Sequence, residues 1–380
     1  MPSHRYEANR AATIRPRPGD PDLDAFDRIA EQVLESGPYP LHLLDRLDEP
    51  SRRQVGRLLD RGLLDNGAGE YRITAVGLRR CEEQALRELL AGGTFGSPGR
   101  HDPRASPSHG TPDPATTRPY RDGDPLAHLD VGETIRHARQ RGRGRVANLR
   151  ADDLVVMEAE ASTRCHTVLL LDRSGSMALY GKFHFAKRLA LGLRALLRRC
   201  YPEDRLTVVS FGTRAEVLDE AAVLLARPYS VGLLDDRINV RVRKGAGRDD
   251  VPEHFTNLQA GFRLARKLLI GQTTENRQIL CLTDGEPTAH DEAGDLVLAY
   301  PPTEATAAAT LREAARCRQA GIALGCFALI DSPLIGQLPA FVDRLAKVGR
   351  GSAAYCSAGV STRLVLDRFR ANRRARHHLG

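Results

Sequence analysis

The chain has 380 residues, 41% of them hydrophobic, enough to bury the core of one large or two ordinary domains. No apolar stretch reaches membrane-spanning length, and the basic residues before Arg17 are not followed by an apolar core, so neither an integral membrane protein nor a secreted adhesin is expected. A formal charge of +8 permits nucleic-acid or acidic-protein partners, and seven cysteines scattered without a Cys-x-x-Cys pair fit free thiols in a reducing cytoplasm.

Residues 1–21 read as a disordered lead rich in Pro and Arg. From Asp22, the residues Phe26, Ile29, Ala30, Val33 and Leu34 recur at helical spacing until Gly37-Pro38 stops them. Helical stretches at Leu41–Leu47 and Pro50–Arg61, a glycine-centred hairpin within Gly62–Thr74 and a long helix at Ala75–Leu90 complete a unit over residues 22–92. The phrases Leu58-Leu59-Asp60-Arg61-Gly62-Leu63-Leu64 and Tyr71-Arg72-Ile73-Thr74-Ala75-Val76-Gly77, in this order of elements, resemble a winged-helix domain. That resemblance implies Arg52, Arg53 and Arg57 on a helix, and Arg72 in the wing, as phosphate contacts. The interleaved acids Asp60, Asp65 and Glu70 dilute this charge, so protein docking stays open beside DNA binding. Expressed alone, the unit is expected to fold and to show little sequence-specific DNA binding.

Residues 93–124 are rich in Gly, Pro, Ser, Thr, His and Arg and carry few apolar side chains, which predicts a flexible linker with His101 and His109 as spacers. Residues 125–162 read as a lead-in helix, Leu129–Arg141, and a strand, Asp153–Ala159, able to pair at a sheet edge. Over residues 163–375 strands alternate with helices. After the strand ending at Leu171, strands are predicted at Leu206–Phe211, Ala215–Leu218, Arg277–Thr283, Ile322–Ile330 and Ser352–Cys356. Helices are predicted at Lys182–Arg199, at Phe255–Ile270 with Thr256 in its first turn, and at Glu304–Ala320, Leu334–Val348 and Val360–Asn372. Asp284–Pro302 is broken by Gly and Pro and reads as a rim loop, and residues 376–380 form a basic tail. Such alternation predicts an α/β fold, a mostly parallel, Rossmann-like sheet with helices on both faces.

The apolar run Val168–Leu171 ends in Asp172, Ser174 and Ser176, with Gly175 allowing a tight turn between the two serines. An uninterrupted apolar strand is covered on both faces, and sheets of that kind gather ligands beyond the carboxyl ends of their strands. The donors are all oxygens, with no thiol or imidazole among them, which suits a hard divalent cation and not zinc or copper.

The pattern Asp172-x-Ser174-x-Ser176 at a strand end resembles the metal-ion-dependent adhesion site of von Willebrand factor A domains. That family completes its site with a threonine on a second loop and an aspartate on a third, which the resemblance places at Thr256 of Thr256-Asn257-Leu258 and Asp284 of Thr283-Asp284-Gly285. The implied cofactor is Mg2+, with Mn2+ or Ca2+ as substitutes, leaving a coordination position for a partner's carboxylate.

Further phrases narrow the resemblance: Asp153-Leu154 followed by Glu158, Thr256-Asn257-Leu258-Gln259, Thr283-Asp284-Gly285-Glu286-Pro287-Thr288-Ala289-His290 and Tyr300-Pro301-Pro302-Thr303. Together they look like bacterial A-domain proteins related to the magnesium chelatase D subunit, whose partners are AAA+ ATPases of the MoxR or chelatase type. Phe255 departs from that pattern, standing where the family often has glycine, and no phosphate-binding loop of the Gly-x-x-x-x-Gly-Lys-Ser/Thr form occurs in these residues. The resemblance implies a cytoplasmic, non-enzymatic adaptor or regulatory subunit that binds an AAA+ ATPase and an acidic client. A winged-helix regulator recruiting a partner through its A domain is the alternative, and a non-ATPase subunit of a metal chelatase a third. No hydrolytic serine is expected: His166 and His184 have no argued nearness to Ser174 or Ser176, and His290 and Glu286 read as rim residues.

Overall fold

The computed structural model describes residues 20–91, 111–120, 129–142, 149–160, 164–231, 237–243, 245, 247, 251–271, 274, 276–329, 338–349 and 352–356. Most of the predicted lead, the spacer histidines His101 and His109, the helix expected at Val360–Asn372 and the basic tail lie outside them.

Capping chemistry sets the first elements. Asp20 accepts the Asp22 amide at 3.1 Å, with Pro21 at the first helical position of α1 (Pro21–Ser36), and Gly37, at φ 67°, ends that helix. A short α2 (Tyr39–His42) and a 3-10 turn, Leu44–Arg46, lead into α3 (Glu49–Asp60), which Asp48 caps. The predicted hairpin forms as β1 (Leu64–Asp65) paired with β2 (Arg72–Ile73), and α4 (Ala75–Ala91) follows.

The next strand corrects two expectations. β3 (Thr111–Pro119) lies inside the span read as a linker, and after α5 (Val131–Arg141) it pairs antiparallel with β4 (Val155–Glu160). A stretch poor in apolar side chains can still be ordered through backbone pairing, which composition does not register. β4 accordingly belongs to a two-stranded sheet with β3 and is not an edge strand of the main sheet. Arg141 grips the buried Asp153 carboxylate with two hydrogen bonds, of 2.8 and 2.5 Å, and so ties α5 to the turn before β4.

The larger unit runs β5 (Cys165–Asp172), α6 (Lys182–Cys200), β6 (Arg205–Phe211), β7 (Ala215–Leu218), α7 (Glu220–Leu225), β8 (Ile238–Val242), α8 (Leu258–Ile270), β9 (Asn276–Thr283), β10 (Ala289–Glu292), β11 (Asp295–Tyr300), α9 (Glu304–Gln319), β12 (Ala323–Leu329), α10 (Leu338–Gly349) and β13 (Ser352–Cys356). The main sheet has the order β13-β12-β9-β5-β6-β7 and is parallel except for β7. All eight residues of β5 are buried, and their alternation splits the core. Leu169 and Leu171 face the layer of α6 and α7, whereas Val168 and Leu170 face α8, α9 and α10. From β5 the chain moves outward to β6 and β7, then returns to place β9 on the other side of β5. That reversal creates a switch point at the carboxyl ends of β5 and β9.

The segment predicted as an irregular rim loop instead holds β10 and β11. They pair around Ala293 and Gly294 and join β8 in a three-stranded sheet with its own core of Val251, Phe255, Ala289 and Leu298. Both turn residues have positive φ, 52° and 94°, as a two-residue hairpin turn demands, but alanine there hides the usual Asn-Gly signal. A smaller correction concerns Thr256. Asn257 caps α8 through its side chain, so Thr256 precedes the helix and is not in its first turn.

The N-terminal helices share a core with the sheet's covering layer. α4 packs on α6 so closely that a Cβ at Gly192 would run into Leu89, and Phe26, Leu58, Leu86 and Leu89 join the cluster containing Leu189 and Leu193. Charged pairs cross the same boundary: Arg188 reaches Glu31 and Glu88, and buried Glu82 meets Arg198 at 2.8 Å and Arg194 at 3.5 Å. Lys187, fully buried on α6, donates to the carbonyls of Leu34 at 2.7 Å and Ala226 at 2.9 Å.

Candidate metal centre

Three loops meet at the switch point. Asp172, the last residue of β5, is fully buried and accepts the Ser174 amide at 2.8 Å on Oδ1 and the Thr283 hydroxyl at 2.6 Å on Oδ2. Each carboxylate oxygen keeps a further lone pair. Ser174 Oγ lies 3.3 Å from Ser176 Oγ, and Ser176 Oγ donates to Asp284 Oδ1 at 2.7 Å. Thr256 is held in place by β10: its amide donates to Thr288 Oγ1 at 2.8 Å, and its carbonyl accepts the amides of Thr288 and Ala289. A Cβ built on Gly285 would sit 3.7 Å from Thr256 Oγ1 and 3.9 Å from Ser176 Oγ, so both hydroxyls border the same point. The five residues singled out in the sequence, Asp172, Ser174, Ser176, Thr256 and Asp284, are thus brought together by local geometry.

The site's electrostatics create a demand for positive charge. Burial, and then the neighbouring Asp284 carboxylate, push the Asp172 acid up to about 7 against the lowering effect of its hydrogen bonds from Thr283 and Ser174. One ammonium is already present. Lys182 Nζ donates to Asp284 Oδ2 at 3.0 Å, with both side chains almost wholly buried. Sequence reasoning missed this lysine, reading it only as the start of a covering helix. A signal existed: Lys182 opens α6, whose first turn has no acid, and a cation at a helix N-terminus opposes the helix dipole unless a carboxylate stands nearby.

Two carboxylates and three hydroxyls on one rim form an all-oxygen donor set, which fits a hard divalent cation such as magnesium, with its preference for about six oxygens at roughly 2.0–2.1 Å. Phe255, the departure in the sequence pattern, is buried in the small sheet's core, and its amide donates to Thr213 Oγ1 at 3.2 Å, which braces the loop bearing Thr256. His254 borders the Asp172–Ser176 turn, its carbonyl accepting the Gly175 amide at 3.1 Å, while the histidines weighed in the sequence lie elsewhere. His166 Nε2 meets Thr207 Oγ1 at 2.9 Å near the opposite end of β5, and burial depresses it to about 4. His184 faces Glu31 across the N-terminal boundary, and His290 is buried on β10. Cys81, Cys165, Cys281, Cys317 and Cys326 are buried free thiols, and Cys200 is an exposed one.

A mostly parallel sheet, helices on both faces and oxygen donors converging at the switch point define a von Willebrand factor A domain. The chain belongs to the Rv0959-like family: that family's vWA-domain model matches residues 165–370, more than half of the chain, and the model of its third domain matches residues 114–159. The second match takes in α5 and most of β3 and β4, a span that the sequence divides between a linker and a lead-in. The uncharacterized protein Rv0959 of Mycobacterium tuberculosis and its counterpart Mb0984 of Mycobacterium bovis are each 28% identical over 379 residues, covering 93% of this chain and 52% of the relative. The chain therefore spans about half the length of the curated relatives it matches. Similar solved structures include the vWF domain of the type V pili tip protein Mfa5 from Porphyromonas gingivalis, 12% identical over 57% of this chain and 97% of that one, with a TM-score of 0.39. The PilB minor pilin from Streptococcus sanguinis is 13% identical over 60% of this chain and 66% of that one, with a TM-score of 0.40. Among the described residues no helix is long and apolar enough to cross a membrane.

Proposed function

We propose that the chain is a metal-dependent protein-binding module in which Asp172, Ser174, Ser176, Thr256 and Asp284 hold Mg2+, or Mn2+ or Ca2+ in its place, for capture of an acidic client. The observation that carries this reading is the meeting of two buried carboxylates and three hydroxyls from separate loops at the switch point. When bound, the ion supplies a positive centre able to accept a carboxylate oxygen. Asp172 and Asp284 supply the negative charge of the site, Ser174 and Ser176 hold Asp172 and Asp284 in one network, and the small sheet fixes Thr256. Lys182 balances part of the charge and tempers cation affinity.

A cytoplasmic AAA+ ATPase of MoxR or chelatase type is the proposed partner, on the strength of the A-domain phrases that resemble chelatase-related proteins. For the N-terminal unit, protein docking is favoured over DNA contact. Arg57 is engaged by Asp22 at 2.8 Å, Arg61 by Asp20 at 2.6 Å and Arg72 by Glu70 at 3.5 Å, which leaves fewer cations for phosphates. Affinity recovery from native cytosol tests the reading. An AAA+ ATPase should come down with wild-type protein in magnesium, and much less with chelator or with the folded double variant Ser174→Ala, Ser176→Ala. Equal recovery under all three conditions would rule out metal-mediated capture.

A further inference from the structure

Away from the rim donors, α8 carries Ala260, Arg263, Leu264 and Lys267 at the spacing that puts them on one helical face. Beside that face lies a cavity of about 420 Å³, bordered also by Arg214 and Ala215 at the start of β7, by Arg243 after β8 and by Gly294 in the β10–β11 turn. Asn257, next to Thr256, stands in its wall, but none of the five rim donors does. The cavity is therefore a separate place in the fold, formed where the small sheet meets α8.

Its charge is one-sided. Four cations, Arg214, Arg243, Arg263 and Lys267, line it against one acid among the described lining residues, Asp291. Two of the four hold the walls together: Arg263 donates to Asp291 Oδ2 at 2.7 Å and so joins α8 to β10, and Arg214 donates to Glu253 Oε1 at 3.0 Å and to the Gly247 carbonyl at 3.4 Å. The other two, Arg243 and Lys267, are exposed and have no hydrogen bond or ion pair among the described residues. By sequence, the stretch before Val251 adds Lys244 and Arg248 against Asp249 and Asp250, which leaves this surplus of two unchanged. Further in, Ala215, Val242, Leu264 and Leu296 make the wall apolar, and Val242 and Leu296 are cross-strand partners packed on the small sheet's core.

We propose that this cavity binds a small organic phosphate monoester, its phosphate held by Arg243 and Lys267 and its apolar body against Val242, Leu264 and Leu296. A phosphate monoester carries about −1.5 to −2 charge near neutral pH on three acceptor oxygens, which matches two uncommitted cations, whereas a single carboxylate would satisfy one. An arginine fork and a lysine point charge are both phosphate binders. The volume falls within the roughly 300–1,000 Å³ of small-molecule sites, and the apolar wall gives an organic body something to bury that a bare anion lacks. Bracing by Arg214 and Arg263 keeps the walls in place before a ligand arrives.

Calorimetric titration of the full chain at physiological salt tests the proposal, with chelator present so that the metal centre plays no part. Phenyl phosphate, the probe, should bind saturably and about tenfold or more tighter than inorganic phosphate, phenol or the dicarboxylate phthalate. Arg243→Gln and Lys267→Gln, exposed changes whose folding circular dichroism would confirm, should each weaken phenyl phosphate about tenfold. Equal binding of inorganic phosphate would overturn the organic ligand, and equal binding of phthalate would overturn the phosphate. Affinity unchanged in both folded variants, or no saturable binding of phenyl phosphate, would overturn the site. A phosphotyrosine peptide bound far tighter than phenyl phosphate, and lost in the same variants, would assign the cavity to a partner protein and also overturn the proposal.

Discussion

At the carboxyl rim of the sheet, two neighbouring carboxylates, Asp172 and Asp284, meet the ammonium of Lys182 through Asp284, whereas in and against the N-terminal unit several acids are paired with guanidinium groups. Arg57 and Arg61 share Asp20 and Asp22, Arg80 grips Asp27 at 2.6 Å, and Glu82 is held between Arg194 and Arg198. The first arrangement retains a demand for a cation; the second spends its charge on joining helices. A formal charge of +8 thus says little about where this protein binds anything. Local imbalance is the better guide, and here it falls at the switch point.

The comparison can be broken most severely at the boundary between the two regions. Gly192→Val should drive α4 away from α6 and destabilise the protein by about 3 kcal/mol, because the new side chain meets Leu89 in a close-packed seam. Urea unfolding would measure this, and two separate transitions would show that the regions had uncoupled. The same seam has a pH signature. Burial, and then the charges of Arg227 and Arg173, lower Lys187 from its ordinary 10.5 to about 7. Between those values the unfolded chain holds a proton that the folded chain has released, so stability rises with pH across this window; below about 7 the burial cost is fully present. Lys187→Met should flatten that slope in unfolding midpoints taken across the window. At the rim the expected effect is smaller. Lys182→Met removes a like charge beside an incoming cation and should tighten Mg2+ binding about tenfold, as read by calorimetry.

Much of this architecture was legible before the structure. The apolar run of β5 and the oxygen donors after it specify a covered parallel strand and a rim site, because burial and ligand chemistry both leave marks in residue type. Other features leave fainter marks. The β10–β11 hairpin escaped because Ala293 occupies a turn position where Asn is usual, and β3 escaped because its order comes from backbone pairing with β4. Docking of the N-terminal unit was hidden as well, although α6 carries a clue. Leu189, Leu193 and Leu196, along with Lys187, are buried around more of the helix than one face of a sheet can cover, which signals a second packing partner. Lys182 was missed since a lysine's role at a metal rim depends on where its long side chain reaches, and that depends on Asp284, 102 residues away.

The central claim is that the charge imbalance at the switch point exists to hold a divalent cation. Titration of Mg2+ into the folded full chain, wild type against Asp172→Ala, tests it most directly, with circular dichroism confirming that both are folded. The account predicts a saturable site in the wild type and a loss of affinity of about 100-fold or more in the variant, because one of two buried carboxylates is gone. Equal affinity in the two proteins, or no saturable binding in either, would contradict it.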